Sequence, residues 1–306
     1  MTAASLPPTT ASDNAAAEWP AIQAAQARDE AARVPFFIHH DGQALLTGSV
    51  ARLHLPALAE LAVAAALQVG DDAVTLRLPA AQLTGFLAQT NQALCEAGLI
   101  VAWRDETYPV LALGNGALLA TMERAASRFW GTTTFGAHCN GYVADARGRP
   151  THLWIARRAH TKAVDPGQLD NLIGGGVPHG QSPAEAVVRE GWEEAGLTPA
   201  QMSRLVAGRL IRMARDIPEG FQLEQVSVFD LALPPGVVPS NQDGEVHSLT
   251  LMPVAQALAH AAAGDMTVDA TLATLDFALR HRLLATNVHQ HLQALSEALW
   301  VGRARL

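Results

Sequence analysis

Residues 174–197 read GGGVPHGQSPAEAVVREGWEEAGL, and this stretch decides the fold. Three glycines and a loop lead into one helix whose start and stop are both written in the chain. Ser182 is a capping residue, Pro183 suits the first turn, and Glu185 completes a Ser-x-x-Glu capping box. Gly196 supplies a left-handed stop. Val187, Val188, Trp192 and Ala195 give the helix an apolar side. Glu190, Glu193 and Glu194 recur at three- and four-residue spacing on another face.

Those glutamates are costly for a helix that only braces a fold. Like charges at Glu190 and Glu194 repel by roughly 0.2–0.5 kcal/mol. Glu193 and Glu194 also occupy the last turn, the wrong end of the helix dipole for negative charge. A bound divalent cation removes both penalties. Hard Mg²⁺ prefers carboxylate oxygens, water and substrate phosphates, and Mn²⁺ is an alternative occupant. Taken alone, the three acids read equally well as a solvated acidic face.

The complete spacing resembles the Nudix hydrolase family, whose pattern is Gly-x5-Glu-x7-Arg-Glu-U-x-Glu-Glu-x-Gly-U, with U a bulky aliphatic residue. Gly175, Arg189, Glu190, Glu193, Glu194, Gly196 and Leu197 match it over twenty-three residues. Two positions depart: Gln181 stands where the first glutamate belongs, and Gly191 stands at the aliphatic position. The resemblance implies that Glu190, Glu193 and Glu194 are the metal ligands and that Arg189 orients their carboxylates.

The chain has 306 residues, enough for one large or two ordinary domains. Its 49% hydrophobic and 16% charged content is globular rather than disordered. A formal charge of −8 argues against a general nucleic-acid or anionic-membrane binder, so a phosphorylated substrate needs a local basic patch. Only Cys95 and Cys139 occur, without metal spacing, which fits a reducing cytoplasm. The first residues lack the basic start and apolar run of a signal peptide. The longest apolar stretch, near Leu53–Val69, is interrupted by Pro56 and Glu60, so no membrane span is expected.

Residues 1–13 read as loose and 14–32 as a helix, giving a leading segment 1–30. Residues 31–130 read as a small α+β domain. Its elements are a hairpin turning at Asp41-Gly42, helices over Pro56–Leu67 and about Ala80–Ala97, and strands at Val74–Leu78 and Leu99–Trp103. A helix near Met122–Gly131 joins it to residues 131–306. There strands are expected at Thr132–Val143, His152–Arg157, Leu205–Met213 and Glu224–Leu233, then helices at Val254–Ala263, Val268–Arg282 and Val288–Leu299. The pattern alone gives an α/β fold with a mixed sheet. The Nudix resemblance supplies the α/β/α sandwich.

Upstream of the glycines, Arg157, Arg158 and Lys162 cluster before Pro166-Gly167. Guanidinium forks match phosphate oxygens and a lysine ammonium acts as a point charge, so Arg158 and Lys162 are expected to clamp a diphosphate. Strand alternation puts Arg157 on the opposite face from Arg158. Asp170 and Asn171 are either loop hydrogen-bonders or substrate contacts. Glu245 follows an Asp243-Gly244 turn, where an acid is ordinarily solvent-exposed; late-loop acids in the Nudix family serve as ligand or general base. Tyr142, Trp154 and Phe135 could stack on a ring or fill the core.

A closer resemblance covers about Val34–Phe277. ERAASRFWGTTTFGAHCNGYV from Glu123, LWIARRAHTKAVDPGQLDNLIGGGVPHGQSP from Leu153 and NQDGEVHSL from Asn241 resemble the thiamine pyrophosphokinase-related Nudix proteins. FFIHHDGQ and EAGLIVAWRDETYPV look like parts of their extra N-terminal domain. The resemblance implies Mg²⁺-dependent hydrolysis of thiamine diphosphate or an oxidised form to monophosphate and phosphate. A helix glutamate or Glu245 would take the water's proton, and Gly175 would lie at the substrate. Isopentenyl diphosphate isomerases share the Arg…Lys…Pro-Gly layout, but Asn171–Gly176 contains no catalytic cysteine. A nucleoside-diphosphate hydrolase acting, for example, on ADP-ribose and a non-catalytic ligand sensor remain as alternatives, and a homodimer is compatible with either. Trp103, Tyr108 and Trp130 near the join would stack on a heterocycle or form interdomain core.

Overall fold

The computed structural model describes residues 19–61 and 66–305, so the expectations for residues 1–18 lie outside the described residues. Within them, helix at the start is limited to α1 (Pro20–Ala24). Trp19, Ile22 and Ala25 are buried with the C-terminal helices, and the Ala25 and Ala27 carbonyls accept bonds from Ala214 N and Asp216 N. The leading segment therefore adds to the core of the second half instead of standing apart.

The N-terminal module begins with β1 (Arg33–His40) and β2 (Gln43–Ala51), turned by Asp41 and Gly42 at φ 47° and 78°. Positive φ at both central residues suits the right-handed twist of a tight hairpin. Next come α2 (Leu55–Leu61), β3 (Leu67–Val69), β4 (Val74–Arg77) and α3 (Ala80–Glu96). Leu67 starts a strand, not the end of the expected helix. The sheet order is β2-β1-β4-β3, and β1 runs parallel to β4. Leu99–Trp103 is irregular and not the expected strand. The strands lie further on, as the hairpin β5 (Thr107–Leu111) and β6 (Leu118–Glu123), followed by α4 (Ala126–Trp130). Phe36, Leu83, Leu87, Phe129 and Trp130 share the module's core.

The second half contains β7 (Thr133–Ala144), β8 (Pro150–Arg158), β9 (Leu169–Asp170), β10 (Ile173–Gly176), α5 (Pro183–Ala195) and α6 (Pro199–Met202). It continues with β11 (Val206–Ile217), β12 (Gly220–Ala232), β13 (Val246–Pro253), α7 (Val254–Ala263), α8 (Val268–Arg280), α9 (Thr286–Leu295) and β14 (Trp300–Arg303). The sheet runs β13-β8-β7-β12-β11-β14, with β10 on β7 and β9 on β8. Only the β7–β12 pairing is parallel, which makes the sheet mixed. Alternation sends Ala137, Cys139, Phe229 and Leu231 to a core with α5, and Val226 and Val228 to a core with α7 and α8. The architecture is an α/β/α sandwich, with an α+β module before it.

Candidate active site

Helix α5 begins and ends as its residues dictate. The Ser182 hydroxyl accepts from Glu185 N, the Glu185 carboxylate accepts from Ser182 N, and Gly196 sits at φ 62°. Such a cap contributes about 0.5–2 kcal/mol. Ala186, Val187 and Ala195 are buried against the sheet, and each burial of a residue the size of valine contributes about 1.5–3 kcal/mol. Trp192 is 52% exposed and does not join that apolar side.

The glutamates are not equivalent. Glu194 turns inward and is 7% exposed, and its Oε2 accepts from Gly174 N at 2.8 Å. Glu190 lies against Gly175, where a Cβ would come within 2.3 Å of its Oε1. Glycine at 175 is therefore the seat of a carboxylate. Arg189 donates from Nη2 to Glu190 Oε1 and from Nη1 to Glu193 Oε2, both at 2.8 Å. Among the described residues no three His, Cys, Asp or Glu side chains converge on one metal position, and Glu193 is held by Arg189.

Burial pushes the Glu190 carboxyl up to about 7, with Arg189 opposing and Glu193 adding to the shift. Burial, and then repulsion from Glu190, raises the Glu194 carboxyl well above the usual range. Two desolvated acids side by side favour either a proton or a cation between them.

Beside Gly174 and Gly175 opens a cleft of about 90 Å³. Its walls include Arg158, Asp170, Glu224 and Asp269 of the second half and Arg104, Arg124 and Arg128 of the N-terminal module. The largest cavity, about 660 Å³, lies elsewhere. Gln225 and Phe135 line that cavity, while their strand neighbour Glu224 lines the cleft, so the two openings are on opposite faces of the sheet.

The family model described as NUDIX domain matches residues 137–270. It is 37% identical over 199 residues to Nudix hydrolase 20, chloroplastic, of Arabidopsis thaliana, a match covering 65% of this chain and 53% of that protein. To Nudix hydrolase 24, chloroplastic, of the same plant it is 36% identical over 202 residues, covering 66% and 55%. The chain thus spans about half the length of the curated relatives it matches. The crystal structure of DR0079 from Deinococcus radiodurans is similar at 20% identity and a TM-score of 0.42, over 56% of this chain and 99% of that one.

Around the NUDIX helix, the expected phosphate clamps are already engaged. Arg158 donates to Asp170 Oδ2 at 3.1 Å and to the carbonyls of Val164 and Asp165. Lys162 is paired with Glu245. Burial would raise the Glu245 carboxyl, but the Lys162 hydrogen bond and charge hold it below the usual range. Arg157 donates to the Gly167 carbonyl on the exposed side and does not line the cleft. Asp170 is buried and faces the cleft, whereas Asn171 bridges His138, Asn140 and Thr274 inside the core.

Both departures from the family pattern have a local explanation. At Gly191 a Cβ would meet Met202 at 2.9–3.0 Å and Ile173 Cδ1 at 3.2 Å, so these side chains fill the place of the expected aliphatic residue. Gln181 is exposed, makes no side-chain hydrogen bond among the described residues, and lines the larger cavity, while Arg189 is bonded to Glu190 and Glu193. The aromatic residues at the join are structural. Trp130 stacks on Phe36 at 4.6 Å and donates to Asn91, and buried Tyr108 donates to the Phe135 carbonyl. Trp103 donates to Asp105 and packs on the module's core. Tyr142 packs on Phe277, and Trp154 is buried with α5.

Sequence reasoning missed Arg104, Arg124, Arg128, Glu224 and Asp269. They come from separate elements and have no spacing to betray them; an arginine every fourth residue at Arg124 and Arg128 was the one available signal.

Proposed function

We propose that the cleft hydrolyses a small organic diphosphate to monophosphate and phosphate, with thiamine diphosphate or an oxidised derivative as substrate and Mg²⁺ or Mn²⁺ as cofactor. The observation that carries this reading is the carboxylate pair, half-buried Glu190 and buried Glu194, seated on Gly175 and Gly174, two glycines that also line an arginine-rich cleft. Among the described residues Glu194 has no ion-pair partner, and an oxygen-only donor set suits a hard divalent cation. Glu190 and Glu194 would hold the metal, joined by Glu193 when it leaves Arg189. When bound, such an ion acidifies water and neutralises charge on a phosphoryl group.

The chain's own residues do the rest. Arg189 holds Glu190 and Glu193 in register through its two nitrogens. Gly175 leaves room for Glu190 to lie flat against the strand. Water attacks the terminal phosphorus, the bridging P–O bond breaks, and the organic monophosphate leaves. The water's proton goes to a carboxylate oxygen, either of the helix or of Glu245, which lies near Lys162, Arg104 and Arg158. Lys162 and Arg158 bind phosphate oxygens only by exchanging Glu245 and Asp170 for them. Glu224 and Asp269 on the far wall suit a cationic or amino-bearing ring at the mouth of the cleft. Two cysteines without a disulfide fit a reducing compartment.

The test is phosphate release from thiamine diphosphate, oxidised thiamine diphosphate, ADP-ribose and diadenosine tetraphosphate, with Mg²⁺ and with EDTA. Metal-dependent turnover fastest on a thiamine compound supports the reading. Preference for a nucleotide substrate replaces it with the nucleoside-diphosphate alternative, and no turnover on any leaves a ligand sensor.

A further inference from the structure

Of the cations around the cleft, those native to the NUDIX domain are neutralised in place and those brought by the N-terminal module are less so. Arg158 is bound to Asp170, and Lys162 to Glu245. By contrast, among the described residues Arg128 has one ion pair, with Glu219 at 3.7 Å, and the half-buried Arg104 guanidinium has none, although Glu224 lies near Arg128 and Glu245 near Arg104. Arg124 pairs with Glu106 at 3.0 Å and lies over the Tyr108 ring at 5.6 Å, which leaves further donors on a five-donor fork.

These three side chains converge. Arg104, Arg124 and Arg128 together line the cleft beside Gly174 and Gly175, and they also line a small recess opening next to it against Val164. Their backbone is locked. Glu123 Oε1 accepts both Arg104 N at 2.9 Å and Ala125 N at 3.2 Å, tying the Arg104 loop to the turn that carries Arg124 and Arg128. The loop passes through left-handed conformations at Ala102 and Asp105, both at φ 60°, and across the cleft Asp165 does the same at φ 49°. Non-glycine residues pay about 1–3 kcal/mol for such backbone, and it concentrates at ligand clamps. The cleft, at about 90 Å³, is much smaller than the cavity of about 660 Å³ on the other face, which suits the small inorganic end of a ligand.

We propose that Arg104, Arg124 and Arg128 form a phosphate-binding wall supplied by the N-terminal module, so that the site is composite and takes the inorganic end of its ligand between the two halves of the chain. This rests on the diphosphate reading of the cleft. It assigns the module a direct role in recognising oxyanions, with Arg104 and Arg128 providing most of the free donors. Planar guanidinium forks match phosphate oxygens in pairs, and lysine at these positions would supply charge without that geometry.

The experiment is calorimetric titration of inorganic pyrophosphate into the full chain in EDTA, so that binding is read without metal and without turnover. Wild type, Arg104→Met, Arg128→Met, the double variant and Arg157→Met are compared, with thermal melts to show that each is folded. Methionine keeps an apolar stem and removes the charge. We expect binding in the wild type, at least tenfold loss in the double variant, intermediate loss in each single variant, and less than twofold change in Arg157→Met, whose guanidinium lies outside the cleft. Absence of binding in the wild type, a double variant within twofold of it, or an equal loss in Arg157→Met would overturn the proposal. Pyrophosphate binding with these signatures but no diphosphate hydrolysis would sustain the wall and reject the hydrolase reading.

Discussion

The two walls of the cleft differ in where their information lies. The carboxylate wall is local: Gly174, Gly175, Glu190 and Glu194 come from one strand–loop–helix unit of the NUDIX domain, capped at both ends by its own residues. The arginine wall is assembled from an irregular loop, a strand end and a one-turn helix of another module. Each is poor without the other. The acids repel one another, and across Gly174 and Gly175 from them the cleft holds three arginines of the N-terminal module, of which Arg104 has no ion-pair partner among the described residues. The proposed function puts chemistry on the self-specified unit and the proposed phosphate wall puts recognition on the other.

The largest effect should come from the seat of the carboxylate wall. In Gly175→Ala the new Cβ occupies the place of Glu190 Oε1, so the side chain must swing out. Hydrolysis should fall by about 10²–10⁴-fold, the range expected when a catalytic carboxylate is misplaced, with little change in melting temperature because a long side chain can move. Gly191→Ala is the contrast: only the tip of Met202 and the Ile173 methyl must give, and activity should stay within about threefold. If both alanine variants behave alike in initial-rate assays, the seat has been misidentified.

A second prediction concerns pH. Burial raises the Glu190 carboxyl from the usual 4.5 to about 7, so the folded state binds this proton more tightly than the unfolded chain. The stability this gives is complete below pH 4.5 and is lost as pH rises through about 7. In EDTA the fold should weaken by on the order of 1–3 kcal/mol between pH 5 and 8, and Glu190→Gln should flatten that slope. Thermal melts at the two pH values check it; an unchanged slope in the variant means another group titrates. Mg²⁺ should restore stability in the wild type at pH 8.

Smaller effects should follow outside both walls. Tyr108→Phe removes one hydrogen bond to the Phe135 carbonyl, costing about 0.5–1.5 kcal/mol in denaturant melts with kcat preserved. Gln181→Glu restores the family residue at an exposed position with no side-chain hydrogen bond among the described residues, so activity should change less than about twofold. A large gain there would mean that the 178–181 loop closes onto the helix during turnover.

Sequence made the first wall legible because its determinants are neighbours in the chain. The Ser182–Glu185 box, the Gly196 stop and the Asp41-Gly42 hairpin are all local rules. It misread Leu99–Trp103, where an apolar run packs as irregular chain, and it missed the β5–β6 hairpin, whose Pro109 weakens a strand signal. The inward turn of Glu194 and outward turn of Trp192 were also hidden. Helical spacing gives a face, but the glycine strand that the helix lies on decides which edge is buried. Arg104, Arg124 and Arg128 acquire meaning only from the tertiary structure, and so does the pairing of Arg158 with Asp170 and of Lys162 with Glu245, which no spacing announces.

Steady-state kinetics on a diphosphate substrate test the division of labour between the two walls most directly. Glu194→Gln keeps the acceptor for Gly174 N and removes one carboxylate charge, so kcat should collapse by about 10²-fold or more while KM stays near the wild-type value. The Arg104→Met, Arg128→Met double variant should do the reverse, raising KM at least tenfold with kcat largely kept. A Glu194→Gln enzyme with wild-type kcat, or two variants that lose the same parameter, would contradict the account.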